Sequence, residues 1–301
     1  MKSNLLLLIR SLVLGTTFLI SSLNAVSQNV NIPDANFKKR LLRNELINTN
    51  ADREIQITEA AAFTGGIDVS YQNISDLIGI EAFTALTSLY CSNNQLTSLD
   101  VSANTALTQL WCHRNQLNSL DVSANTALTE LYCSDNQLTS LDFSANTALT
   151  SLYCSDNQLT SLDVSANTAL DYLYCINNQL TSLDVTANTA LTVLVCSGNQ
   201  LTSLDVSANT AFISLFCSSN QLTSLDVSAN TALTQLGCSN NQLTSLNVQN
   251  ANNTELRSFR AYDNPNLSCI QVDNVVWSTA NWTAPYKINA TARFSVACTA
   301  K

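Results

Sequence analysis

Charge is what this chain of 301 residues has least of: Asp, Glu, Lys and Arg make up 12% of it, about half the roughly 25% of an ordinary soluble domain. Ser, Thr and Asn fill the gap. Bases are scarcer than acids, 13 against 22, and the formal charge of −9 sets the chain against a phosphate backbone, so nucleic acid is not an expected partner. Histidine occurs once, as His113. No Ser–His–acid set, phosphate-cradling loop or metal-ligand cluster stands out. The carboxylates recur once per repeat instead of pairing in one place, so the chain reads as non-enzymatic. Beyond the first 27 residues no apolar run is long enough to cross a bilayer.

The N-terminal segment carries early bases, Lys2 and Arg10, then an apolar stretch, then small residues at Ala25-Val26-Ser27. This pattern predicts a secretory signal peptide over residues 1–27, cleaved near Ser27. An uncleaved anchor is the other reading, but Thr16–Thr17 and Ser21–Ser22 break the stretch and leave it short for a spanning helix. No cysteine adjoins the cleavage site to take a lipid. The expected location is outside the cytoplasm, secreted or at the cell surface or periplasm.

Length alone suggests about two domains, but internal repetition overrides it. Cysteines stand at Cys91, Cys112, Cys133, Cys154, Cys175, Cys196, Cys217 and Cys238, each 21 residues after the last. One unit carries Leu107, Leu110, Cys112, Asn115, Leu117, Leu120, Val122 and Asn125. A fixed period in this range means stacked units, each too small to bury its own apolar face. Leu110, Trp111 and Cys112 alternate in, out, in, as a short strand requires. The Asn after each Cys and a second Asn column (Asn104, Asn125, Asn146, Asn167, Asn188, Asn209, Asn230) fall at the bends, where an amide can satisfy backbone groups left unpaired.

The pattern L-x-x-L-x-C-x-x-N-x-L closely resembles the leucine-rich repeat, with Cys in the third Leu place. Because the second half of each unit nearly repeats the first, it is most similar to the short nested class of secreted Bacteroidetes-type proteins. The resemblance covers about Gly66 to Leu267. It implies an α/β-type repeat solenoid of mostly short parallel strands, an arc of eight to nine turns, acting as a protein-binding scaffold, adaptor or adhesin. The expected layout is a helical N-terminal cap over 28–65, the solenoid over 66–267 and a C-terminal cap over 268–301.

Ten cysteines in an exported chain invite a disulfide framework. The eight periodic ones occupy core Leu places, where a free thiol packs as a small apolar group. Their side chains run parallel, which fits disulfide geometry poorly. Cys269 and Cys298 are off-period, and a disulfide between them is expected to close the C-terminal cap, where Trp277, Trp282, Tyr286 and Phe294 cover the last layer.

In the N-terminal cap, Pro33 and Asp34 start a helix with Phe37, Leu41, Leu42 and Ile47 on its apolar stripe. Lys38, Lys39, Arg40 and Arg43 give either a solvated face or a surface for an acidic partner. Asn48, Asn50, Asp52, Glu54 and Glu59 follow, spaced like the oxygen ligands of an EF-hand calcium loop. Asn48 in place of Asp and Arg53 in place of Gly depart from that pattern. The loop is therefore either a calcium site or a hydrogen-bonded cap turn, and no other cofactor is expected.

Function is expected on the outward strand column: Tyr90, Trp111, Tyr132, Tyr153, Tyr174, Val195, Phe216 and Gly237. Its aromatics either stiffen the sheet by stacking or form a binding face for protein, with glycan as the alternative. Gln109, Glu130, Tyr172, His113, Asp135 and Asp156 would be its polar rim. A column of Asp100, Asp121, Asp142, Asp163, Asp184, Asp205 and Asp226 must be offset, either by turn N–H and hydroxyl groups or by cations.

Overall fold

The computed structural model describes residues 28–283, 288–289 and 291–298. The signal-peptide segment 1–27 and Tyr286 lie outside the described residues. Ten three-residue strands pair side by side in one sheet, from Gly66–Asp68 to Ser258–Arg260. All pairs are parallel and in register, so that Leu89, Leu110, Leu131, Leu152, Leu173, Leu194 and Leu215 form one row. The sheet thus holds more turns than the eight to nine expected. The first and last turns lack the Cys, but Ile67 and Phe259 take the Leu place and pair with Leu89 and Leu236.

Why the units stack follows from their burial pattern. In each strand the central residue is buried and its neighbours face outward. The Leu and Cys columns are sealed completely: Leu110, Cys112 and Leu117 have no exposure, and the same holds coil after coil. Each buried Leu contributes about 1.5–3 kcal/mol, and none could be sealed without coils on both sides.

The asparagines hold the bends together. Asn115 donates from Nδ2 to the carbonyls of Cys91 (3.0 Å) and Cys112 (3.0 Å), while its Oδ1 accepts from Leu96 N (3.0 Å). In the second column Asn146 donates to Val122 O (3.0 Å) and Asn125 O (2.8 Å), one coil back. Two residues after each Cys the chain turns through left-handed backbone. Asn93, Arg114, Asp135, Asp156, Asn177, Ser219 and Asn240 have φ between 50 and 56°. Only one coil uses glycine there, Gly198, whose Cβ would otherwise sit 2.2 Å from Asn177 Oδ1.

The second half of the nested repeat forms a sheet only toward the C-terminal end. There Ser224–Asp226, Ser245–Asn247, Cys269–Gln271 and Arg293–Ser295 make four parallel strands.

Helix α1, Ala35–Leu42, starts as expected at Asp34, whose Oδ1 accepts from Asn36 N (2.9 Å) and Phe37 N (3.0 Å). The other carboxylate oxygen of Asp34 accepts from Ser75 N (2.9 Å), which ties the cap to the first coil. Phe37 and Leu41 are buried against the solenoid. A short helix α2, Ile57–Ala62, completes this cap. At the other end α3, Val275–Asn281, leads to Trp282, which is 1% exposed. Its ring lies 4.3 Å from that of Phe259 and meets Trp277 and Phe294, so it seals the last layer. The Cys269–Cys298 disulfide is present, with its Cα atoms 5.9 Å apart.

Candidate binding face

Between the buried Leu and the buried Cys of each coil stands one outward side chain. The strand register stacks Tyr90, Trp111, Tyr132, Tyr153 and Tyr174 directly over one another. Successive ring centroids lie 4.6, 4.9, 4.2 and 4.5 Å apart. Trp111–Tyr132 and Tyr153–Tyr174 are nearly parallel stacks, at 4° and 11°. The rings brace each other, as one of the two expectations for the column has it, and each remains only half-buried. In those two stacks each ring covers its neighbour's face, whereas Tyr90–Trp111 and Tyr132–Tyr153 are tilted, at 53° and 45°.

The ring hydroxyls are partly bonded. Tyr90 donates to Gln109 Oε1, and the rings of Tyr132 and Tyr153 lie 4.2 Å apart. Burial raises the hydroxyl pKa of Tyr132 and Tyr153, and for Tyr153 the adjoining Tyr132 raises it further. Both are neutral donors at ordinary pH.

Beside the rings runs a second outward column: Ser88, Gln109, Glu130, Ser151, Tyr172, Val193 and Ser214. It is polar for four coils, then carries Tyr172 and Val193, and returns to polar at Ser214. Tyr172 is 38% exposed, and with Val193 and Ile176 it widens the narrow strip into a patch around Tyr174, Val195 and Phe216. Sequence reasoning placed Tyr172 in the polar rim and missed Val193 and Ile176. The signal was there in two neighbouring units that depart from the consensus together, Tyr172-Leu-Tyr-Cys-Ile176 and Val193-Leu-Val-Cys196. The ring column breaks at Val195. Beyond it Phe216 leans over Gly237, where an added Cβ would come within 2.7 Å of Phe216 Cδ1.

Other candidate residues sit elsewhere. His113 Nδ1 lies 2.9 Å from Ser92 Oγ. Burial, then the charge of Arg114, lowers its pKa, so it is neutral at pH 7. The Asp column is exposed and its carboxylates accept from the chain two residues on: Asp121 Oδ1 from Ser123 N at 2.9 Å, Asp142 Oδ1 from Ser144 N at 2.9 Å. These bonds, with those from the Ser hydroxyls, hold the Asp pKa values below normal. Hydrogen bonding from the turn, one of the two expectations for that ridge, is present.

The N-terminal loop is knit from its own polar groups. Asn48 is buried and donates to Leu42 O (3.3 Å) and Asp52 O (3.0 Å). Asn50 donates to Gln56 Oε1 (2.8 Å) and Asp52 Oδ2 (3.1 Å), while Asp52 Oδ1 accepts from Glu54 N (2.7 Å). Glu54 pairs with Lys38 at 2.6 Å. Glu59 accepts from Thr49 N and Oγ1, both at 2.8 Å, and from Gln56 N at 3.0 Å. Among the described residues no three His, Cys, Asp or Glu side chains gather where they could hold a metal.

The eight periodic cysteines are free and buried. Burial pushes their thiol pKa values up, to about 12 for Cys112, Cys154, Cys196 and Cys238.

Residues 68–125 and 126–167 match the family model described as Leucine Rich repeats (2 copies). The solved functional domain of InlJ from Listeria monocytogenes is 33% identical to this chain, with a TM-score of 0.53. The match covers 81% of this chain and 67% of that one. The chain is a leucine-rich repeat protein. Two further leucine-rich repeat structures share the fold at lower identity. One, from Leptospira interrogans, is 24% identical with a TM-score of 0.60, over 71% of this chain and 56% of that one. The other, internalin C2 from Listeria monocytogenes, is 20% identical with a TM-score of 0.60, over 68% of this chain and 94% of that one. The InlJ domain is described as including a cysteine ladder, and in this leucine-rich repeat chain Cys likewise recurs at one core position of each unit. No curated protein matches it.

Proposed function

We propose that this leucine-rich repeat chain is an exported, non-catalytic scaffold that binds another protein, as an adaptor or adhesin does, through Tyr90, Trp111, Tyr132, Tyr153, Tyr174 and Phe216. One observation carries the reading: five rings stacked on the outward side of a continuous sheet, where the Leu and Cys columns already fill the core. Aromatic groups with a polar edge are the usual anchors of protein interfaces. The leucine-rich repeat fold is typical of protein-interaction scaffolds. Carbohydrate recognition, the alternative, draws on open ring faces, and here two of the four ring contacts are face-to-face stacks. Export rests on the signal-peptide pattern of the first 27 residues, and N-terminal sequencing of native material checks it.

The test is capture of secreted and cell-surface proteins on the immobilised mature chain, with a Tyr132→Ala, Tyr153→Ala double variant alongside. Loss of a captured protein in a variant with unchanged circular dichroism supports the reading. Undiminished capture refutes the role of the strip, and selective retention of glycans in place of protein favours the alternative.

A further inference from the structure

We propose that the first strand of the sheet is a docking edge for an extended strand of a partner protein that carries an acidic side chain. Gly66–Asp68 has a neighbouring strand on one side only. Val69 N donates to Tyr90 O at 2.8 Å, and Gly65 O accepts from Thr87 N at 3.2 Å. The odd-numbered residues therefore face the sheet, and the N–H and C=O groups of Gly66 and Asp68 point away from it. Both residues are exposed. Of those four outward groups one has a partner among the described residues: Asp68 O accepts from Arg40 Nε at 3.0 Å. An edge of this kind is a ready template for another strand, and here there is space beside it. A groove of about 420 Å³ separates the edge from the last turn of α1 and the loop that follows. The buried side chains of Leu41, Ile47 and Ile67 line its floor, and Arg40, Arg43 and Glu45 stand along it.

Arg40 decides what the newcomer must carry. Up to Asp68 N the edge offers the donors and acceptors of any strand. At Asp68 O the newcomer meets a guanidinium as well as a carbonyl, so an acceptor is favoured there. The Nε bond holds that guanidinium in place, and its terminal N–H groups form a fork that fits a carboxylate. Neither Arg40 nor Arg43 is in an ion pair among the described residues. The carboxylate of Asp68 accepts from Ser70 N at 3.0 Å, and its side chain takes the place that Tyr90 holds in the next coil. Glu45 is then the one remaining acid of the groove, against two bases. No ring takes part, so the site stands or falls independently of the aromatic strip.

The probe is a pentapeptide, Thr-Val-Glu-Val-Thr, capped at both ends and titrated against the full mature chain. Without peptide the amides of Gly66 and Asp68 are expected to exchange fast and that of Ile67 slowly. The peptide is expected to slow the first two. Gln in place of its Glu is expected to weaken binding to the wild type about ten-fold, equal to about 1.4 kcal/mol, and to Arg40→Gln less than about two-fold. Gly66→Pro removes an edge donor and leaves the bonds to the next strand whole, so it is expected to abolish binding. A backbone N-methylated peptide makes the same test on the wild type and is expected not to bind. Equal affinity of the Glu and Gln peptides for the wild type overturns the proposal, as does undiminished binding of the methylated one. So do Gly66 and Asp68 amides as slow as Ile67 in the free chain, or tighter binding of an uncapped Gln peptide through its terminal carboxylate. Loss of binding in the Tyr132→Ala, Tyr153→Ala variant puts the peptide on the rings and removes the edge site. Self-association of the wild type that Gly66→Pro abolishes makes the edge a joint between copies and likewise overturns the proposal.

Discussion

Alkali should unfold this protein through its thiols. The eight periodic cysteines are fully buried, and the thiol pKa of four of them is pushed up to about 12. In the unfolded chain a thiol ionises at about 8.5. Folding suppresses that ionisation, so its contribution to stability is whole below about pH 8.5. It is lost as the pH climbs toward the folded value. At pH 10 an unfolded thiol gains about 2 kcal/mol from ionising that a buried one cannot. At pH 9 the gain is about 0.8 kcal/mol. The four thiols near 12 together cost about 8 kcal/mol at pH 10, and the other four are raised in the same direction. Net stabilities of domains run to roughly 5–15 kcal/mol, so the loss by pH 10 is of the same order as the whole. Tyrosine ionises near pH 10, so the window between pH 8 and 9.5 belongs to the thiols. The assay is urea unfolding by circular dichroism at half-unit pH steps, with a non-thiol reductant present, for the wild type and for a variant with Val at all eight positions. The wild-type midpoint should fall steeply across the window and that of the Val variant should stay level. A flat wild-type curve, or equal slopes in both proteins, would refute the reasoning.

Three further expectations concern stability. Asn146→Ala removes two buried hydrogen bonds to Val122 and Asn125, whose carbonyls keep the turn bonds from Asn125 N and Leu128 N. It should cost about 1–3 kcal/mol, read as a lower urea midpoint, whereas Ala at the exposed Thr160 should be close to neutral. Cys298→Ser opens a disulfide with a sequence separation of 29. Loop-closure entropy puts its loss at about 3–4 kcal/mol, confined to the C-terminal cap and visible as faster amide exchange around Trp282 and Ile270. In the N-terminal loop, where Glu54 and Glu59 are engaged by Lys38 and by Thr49 and Gln56, we propose that calcium adds little. Millimolar calcium should move the melting temperature by less than about 1 °C, and a rise of several degrees would make the loop a calcium site.

The sheet, its core columns and both asparagine columns were legible because a repeat copies one local solution many times. Leu110, Cys112 and Asn115 occupy the places that their spacing demands. The terminal disulfide was legible for the opposite reason, since Cys269 and Cys298 are the two cysteines that break the period. What escaped notice also broke the period, but one residue at a time. Tyr172, Val193 and Ile176 each look like tolerated drift in a single unit, and only strand register brings them together. The Cys-less turns at Ile67 and Phe259 were legible from their apolar spacing, and with the eight Cys-bearing units they bring the sheet to ten strands, above the eight to nine turns expected. Ring orientation could not be read at all. A stripe of Tyr and Trp says that rings face outward, but whether they show faces or edges depends on a spacing that only the stacked backbone sets.

Both ends of the solenoid are closed by unlike caps, while the coils between them are nearly interchangeable. Copy number can therefore change without touching either end. Duplicating one 21-residue segment, such as 147–167, would insert a further Tyr153-like rung and carry the break in the ring column at Val195 about 4.8 Å farther from the N-terminal helix. The molecule is in that sense a ruler with one mark, and the distance from its end to the mark is written in whole repeats.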